Sequence, residues 1–227
     1  MKKVAFIGSF DKADMIIYIA KILTNMGKKV LVVDSTVMQK TRYIVPSMKA
    51  LKQYITTLEN IDIAIGFENL AQIKEYKGEG QLDYEYVLID IDSYRGYYYY
   101  QIKPEDKKYF ITSFDVYCLR RGLQVFKKLE QPVEVTKVLF TKEMLPDEDK
   151  YLNFLSKGLN IKWGKEILYF PFELGDQNAI FSNQRSGRIQ LRGLSLQYVD
   201  GITFMAEEIS GESQKNITKA VKMMERN

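Results

Sequence analysis

The sequence predicts an α/β protein built on a mostly parallel, doubly wound sheet with helices on both faces, and three observations carry that prediction. Short apolar runs rich in Val, Ile, Phe and Tyr recur along the 227 residues. Stretches with helical spacing lie between several of these runs. No linker-like segment divides the chain, so residues 1–227 read as one domain, with 212–227 as a C-terminal helix.

The apolar runs are Lys3 to Ile7, Val30 to Val33, Ile61 to Ile65, Tyr86 to Ile89, Lys108 to Thr112, Val138 to Phe140 and Ile167 to Phe170. Their length and β-branched content suit strands buried on both faces. Helical spacing appears at Ala13 to Met26, Glu68 to Tyr76, Val116 to Leu129 and Asp147 to Leu155. The tail from Leu194 to Arg226 adds two helical patterns broken by Gly211. Strands alternating with helices argue for parallel crossovers. Ligands of such sheets collect beyond the carboxyl ends of the strands. The residues to read most closely are therefore Gly8 to Lys12, Asp34 to Thr36, Asp90 to Ser93, Ser113 to Asp115, Thr141 to Lys142 and Pro171 to Glu173.

Composition removes whole classes of chemistry. With no histidine, the chain has no His-based zinc site, Ser-His-Asp triad or Cys-His pair. The single cysteine, Cys118, has no internal disulfide partner, and no apolar stretch approaches the roughly 20 residues of a spanning helix. A cytoplasmic setting is the expectation. Met1 to Lys3 followed by Val4 to Ile7 has the outline of a signal peptide, but the apolar run stops at once and Asp11 follows, which fits a first strand better. The formal charge of +4 comes from 33 basic and 29 acidic residues without a dense basic run, so no specific nucleic-acid partner is expected.

The segment from Val4 to Thr36 resembles the opening of the ParA/MinD family of deviant Walker ATPases. In that family a strand leads into a K-G-G-x-G-K-[ST] loop, a helix and a G-K-x-V-L-x-x-D strand. Counting back without a gap from Gly27 places Ile7, Gly8, Ser9, Phe10, Asp11, Lys12 and Ala13 on the loop. The resemblance implies the three-layer sandwich of P-loop NTPases. Of the loop pattern, only Gly8 and Lys12 fit. Bare backbone is what lets consecutive N–H groups wrap phosphates at a helix N-terminus, while the lysine reaches the outer phosphates and a hydroxyl holds Mg²⁺. Asp11 stands where the family has its last glycine, and one such carboxylate about 5 Å from a phosphate charge repels it by roughly 3 kcal/mol at an effective dielectric near 20. Ala13 replaces the Mg²⁺-binding hydroxyl. Ile7 takes the place of the signature lysine that in the family contacts nucleotide across the dimer. Asp34 matches the first acid of the D-x-D motif, and Thr36 replaces the second. The residues by themselves also allow a plain βαβ unit in which Lys12 pairs with Asp11 or Asp90.

Leu82 to Asp92 resembles the Walker B strand, which makes Asp90 the Mg²⁺-associated acid by resemblance. Tyr109 to Leu129 is similar to a strand and helix carrying a partner-facing or dimer-facing surface. In Val138 to Met144, Thr141 stands where the family commonly has an Asn that reads adenine. Ile167 to Glu173 is similar to the late strand ending in Ile-Pro, with Pro171 at the turn. Roughly residues 2 to 210 share the family's order of elements.

The resemblance implies no catalytic residue and no dedicated metal site. It implies no required cofactor beyond weak ATP or ADP binding at Gly8, Ser9, Asp11, Lys12, Asp34, Asp90, Thr141 and Pro171. The expected function is that of a non-hydrolysing or very slow pseudo-ATPase, a scaffold or localisation factor for an assembly such as a pilus, secretion or partition system, as in TadZ/CpaE-like proteins. An active ATPase rebuilt around Lys12, Asp34 and Asp90 for partitioning or positioning is the alternative. A receiver-like module is a third reading, disfavoured by chain length and by Ser35, not a second acid, after Asp34.

Protein partners are expected at Tyr94, Arg95, Tyr97, Tyr98, Tyr99 and Tyr100, because tyrosine and arginine bring large, stiff, amphipathic contact area, while a strand or helix that packs its tyrosines on neighbouring elements is the other reading of the same residues. Arg185, Arg188 and Arg192 form a second cluster, read as a helix face for phosphate or an acidic partner. Loss of the cross-dimer lysine predicts that any homodimer is indifferent to nucleotide. Ile217, Ala220, Val221 and Met224 share one helical face near Lys215, Lys219 and Lys222, which suits either packing on the domain or weak peripheral contact with the inner face of a membrane.

Overall fold

The computed structural model describes residues 1–46, 51–78, 80–142 and 146–226. Eight strands form one sheet: β1 Lys2–Ile7, β2 Val30–Asp34, β3 Tyr54–Leu58, β4 Ile61–Ile65, β5 Tyr86–Ile91, β6 Lys107–Ser113, β7 Val133–Thr141 and β8 Ile161–Pro171. Their order is β3-β4-β2-β5-β1-β6-β7-β8, and every neighbouring pair is parallel except β3 with β4. The first long helix, α1, is Ala13–Asn25; α2 is Thr41–Ile44, α3 Leu70–Lys77, α4 Tyr94–Tyr99 and α5 Val116–Leu123. Then follow α6 Pro146–Leu155, α7 Leu174–Ser186, α8 Leu196–Ser210 and α9 Gln214–Arg226.

The sheet is buried on both sides because its strands are apolar at consecutive positions, not alternate ones. Along β1, Val4 and Phe6 enter one core with residues of α1, α8 and α9. Ala5 and Ile7 enter the other, with residues of α3, α5 and α6. The same alternation places Asp34 and Asp90, which are register partners at the ends of β2 and β5, on the side of the sheet that α1 covers. Ten of the thirteen residues of α1 are buried between the sheet and the pair α8 and α9.

All seven expected strands and the four internal helices are present, as is the break at Gly211, which ends α8 in a left-handed conformation (φ +69°). Besides the short α4, three elements carried no recognised sequence signal. Strand β3 pairs with β4 through a two-residue turn, Glu59–Asn60, whose positive φ values of 45° and 69° are those of a tight hairpin. A glycine would have announced that turn, and Glu-Asn does not. The short α2 and the amphipathically weak α7 were likewise unmarked.

One surface expectation is corrected, and one left open is decided in favour of packing. Arg185 lies in the last turn of α7, but Arg188 and Arg192 follow the terminating Gly187 (φ +64°), so the three arginines share no helix face. The apolar face of α9 is not available to a membrane: Ile217, Ala220, Val221 and Met224 are buried in the core that α1 helps to build, and the Asn25 side-chain amide donates to the Ala220 carbonyl at 3.1 Å. Among the described residues, no helix is long and apolar enough to cross a membrane. Because α9 is a structural layer, Ile217→Ala should destabilise the protein by about 2–5 kcal/mol in urea denaturation, whereas Lys222→Ala at the exposed face should stay within about 0.5 kcal/mol.

Candidate functional site

The turn from β1 to α1 is shaped by close packing. Gly8 has φ +146°, and a Cβ there would lie 2.0 Å from the Ile111 carbonyl oxygen, so only glycine fits. The Ser9 hydroxyl donates to the Cys118 carbonyl at 3.2 Å. Phe10 folds its ring onto Phe140 (centroids 4.6 Å apart) and Phe172 (5.6 Å), closing the space between the ends of β1, β7 and β8.

Lys12 then turns inward. Its ammonium lies 2.6 Å from Asp90 Oδ1 and donates to the Gly8 carbonyl at 2.6 Å, and both members of the ion pair are buried. Burial raises the Asp90 carboxyl to about 7; the Lys12 cation works against this rise, and the Asp34 carboxylate adds to it.

Asp11 stands beside the N-terminus of α1. Its Oδ1 accepts a long bond, 3.4 Å, from the backbone N–H of Ala13 at the start of α1, and its Oδ2 pairs with Lys40. A carboxylate at a helix N-terminus is stabilised by the helix dipole, by about 0.3–1 kcal/mol. Asp34 is consumed locally: Oδ1 accepts from the Thr36 N–H (3.0 Å) and hydroxyl (2.6 Å), and Oδ2 from the Thr41 N–H (3.0 Å) at the start of α2. Asp92 accepts from the Val37 N–H at 3.0 Å through Oδ2. Ser93 and Asp115, at the ends of β5 and β6, cap α4 and α5.

Gly8, Ser9, Asp11, Lys12, Asp34 and Asp90 are thus brought together at the carboxyl edge. Thr141 and Pro171 face each other in register at the ends of β7 and β8, beyond the phenyl cluster. Thr141 Oγ1 donates to Glu148 at 3.3 Å, and residues 143–145 of its segment lie outside the described residues. Pro171 lines a cavity of about 230 Å³ with Phe10, Phe172, Asp11, Asp14 and Asp176. Three participants were missed: Lys40, Phe140 and Phe172. Lys40 lies 29 residues from Asp11 and had no local motif to mark it. Phe140 and Phe172 stand at strand ends with no local motif that marks an aromatic ring there as part of a site.

Ala13 presents a methyl group at the start of α1, the Asp34 carboxylate has three donors, and Lys12 is held by Asp90 and Gly8.

No family model and no curated protein matches the chain. Solved structures do. The MinC:MinD cell division protein complex of Aquifex aeolicus matches with a TM-score of 0.62 at 15% identity over 94% of this chain and 97% of that one. The fold is that of the ParA/MinD-type ATPases. A complex of Cyanothece McdA with ATP matches at 0.55 and 13% identity, over 94% and 98% of the two chains. The ParA family ATPase of Chlorobium tepidum TLS gives 0.54 and 15%, over 90% and 97%. In this chain the β1–α1 turn and the end of β5 are joined by the direct Lys12–Asp90 ion pair.

The pair sets a pH dependence. A carboxyl raised from 3.8 to about 7 on folding contributes stability that is full below about pH 4 and lost as pH rises through about 7. Carbon-13 NMR of the aspartate side chains should show Asp90 titrating near pH 7, and Lys12→Met should move that midpoint upward, because the cation that favours the carboxylate is gone.

Proposed function

We propose that this chain is a ParA/MinD-like pseudo-ATPase that acts as a scaffold or localisation factor and holds protein partners without nucleotide turnover. The observation that carries the reading is the internal occupancy of the loop. Lys12 is bound to Asp90 and Gly8, and Asp11 stands at the N-terminus of α1 with Lys40 as its counter-ion. Phosphates entering there must displace a carboxylate, part a buried ion pair and face the negative charge left behind. Each step disfavours binding, and the missing hydroxyl at Ala13 removes a Mg²⁺ ligand besides.

Partition and positioning systems are the setting that the fold supports. One structural neighbour is a MinC:MinD complex, so this framework is compatible with a bound protein partner. On this chain the partner surface is assigned to Tyr94, Arg95, Tyr98 and Tyr99, and the expectation that Tyr97 and Tyr100 belong to it is corrected by their burial. Arg95, Tyr98 and Tyr99 are exposed, while Tyr97 and Tyr100 are buried and hold the segment in place. ATP and ADP are at most weak ligands, and any homodimer forms independently of them.

Calorimetric titration with Mg²⁺-ATP, run beside a measurement of mass in solution, tests the reading. No saturable heat at micromolar concentrations is expected, with a mass unchanged by nucleotide. Micromolar binding with turnover that Lys12→Ala abolishes would instead establish an active enzyme with a rebuilt site.

A further inference from the structure

A cavity of about 230 Å³ lies beside the β1–α1 turn, bounded by the first turn of α1, the ends of β7 and β8, and the helices α7 and α8. Its walls are largely aromatic. Phe10, Phe140, Phe172, Phe181 and Tyr198 line it, together with Met15 and Ile180. Phe10 and Phe172 meet edge to face with centroids 5.6 Å apart, and Phe140 stands 6.5 Å from Tyr198, so these rings are fixed against one another.

The charges in this wall do not balance. Asp11, Asp14, Glu173 and Asp176 line the cavity, and Lys40 is the one cation among the described residues that do. A single ammonium serves two of the four carboxylates: Lys40 pairs with Asp11 and lies 3.7 Å from Asp14. The other described partners are neutral. Gln184 Nε2 donates to both oxygens of Asp14 at 2.9 Å, and the buried Asp176 accepts from the Ser195 N–H at 2.5 Å and hydroxyl at 2.9 Å. Such bonds satisfy the oxygens and leave their charge in place. Glu173 precedes α7 without capping it and has no hydrogen bond or ion pair among the described residues. Burial holds the Tyr198 hydroxyl well above its ordinary pKa, and Asp14, Tyr18, Asp176 and Asp11 add to the rise.

Aromatic rings and a surplus of negative charge favour the same guest. We infer that the cavity binds a small organic cation, an ammonium or amidinium group carried on a single ring, with its charge toward Asp14, Glu173 and Asp176 and its ring among Phe10, Phe172 and Phe181. The space is smaller than the roughly 300–1,000 Å³ of pockets for drug-sized ligands, which suits one ring with a short arm and excludes a peptide segment. A bare metal ion is a poorer fit, because among the described residues no three acids converge closely enough to hold one. The inference stands apart from the reading of the chain as a scaffold, since it uses neither Lys12 nor the tyrosines of α4.

Calorimetric titration of the full chain with phenethylammonium, benzamidinium and benzyltrimethylammonium tests this, beside phenethyl alcohol and phenylacetate as neutral and anionic counterparts. At least one cation should bind saturably, roughly tenfold or more tighter than the alcohol and more weakly as salt rises, while phenylacetate does not bind. Glu173→Gln and Phe172→Ala, both at exposed side chains, should each weaken it by roughly threefold or more, and Lys222→Ala on α9 should leave it unchanged. No saturable heat with any of the three cations at millimolar concentration, equal binding of the alcohol, or indifference to both cavity variants overturns the inference. The Mg²⁺-ATP titration reports on Lys12 instead, so the two readings fail separately.

Discussion

The ion pair between Lys12 and Asp90 is the constraint around which the carboxyl edge of the sheet is arranged. Both charges are removed from water, and each is tolerable only because the other is 2.6 Å away. Desolvation alone drives Asp90 toward its neutral form, and the nearby Asp34 pushes in the same direction. Lys12 restrains that rise, and Gly8 contributes a carbonyl as a second acceptor for the ammonium. A phosphate-binding lysine must be free to reach outward. This one is held inward at both of its contacts.

The neighbouring substitutions agree with that arrangement. With the lysine withdrawn, the N-terminus of α1 still carries unpaired N–H groups and positive dipole charge, and Asp11 answers them from within the loop while Lys40 balances Asp11. Asp34 organises the turn into α2. The phenyl rings of Phe10, Phe140 and Phe172 pack where the loop meets the ends of β7 and β8. Each local choice points to a site filled from inside, and such agreement across independent residues is what a settled structure requires.

Much of the fold was legible because burial on both faces leaves a strong mark. Runs such as Val30 to Val33 and Val87 to Ile89 admit few interpretations between helical segments. Strand β3 was not legible: it lies at the edge, its five residues Tyr-Ile-Thr-Thr-Leu show no apolar–polar alternation, and it turns through Glu59 and Asn60 without glycine. For the site, the sequence placed Lys12, Asp11 and Asp90 correctly at one edge, and even allowed Lys12 to pair with either acid. It did not determine which acid Lys12 would take, since that depends on Asp90 facing α1 and on Lys40 arriving from a distant turn to claim Asp11. Contacts made across 29 residues and between different strands have no periodicity to betray them. The same limit explains the arginines after α7, whose spacing suggested a helix that Gly187 in fact ends.

The measurement that bears most directly on a site filled by its own side chains is a crystal structure determined with Mg²⁺ and a non-hydrolysable ATP analogue at millimolar concentration. The account predicts an unliganded loop, with Lys12 still on Asp90 and Asp11 still at the start of α1. Analogue bound at that turn, with the Lys12 ammonium swung onto its phosphates and Asp11 displaced into solvent, would contradict it.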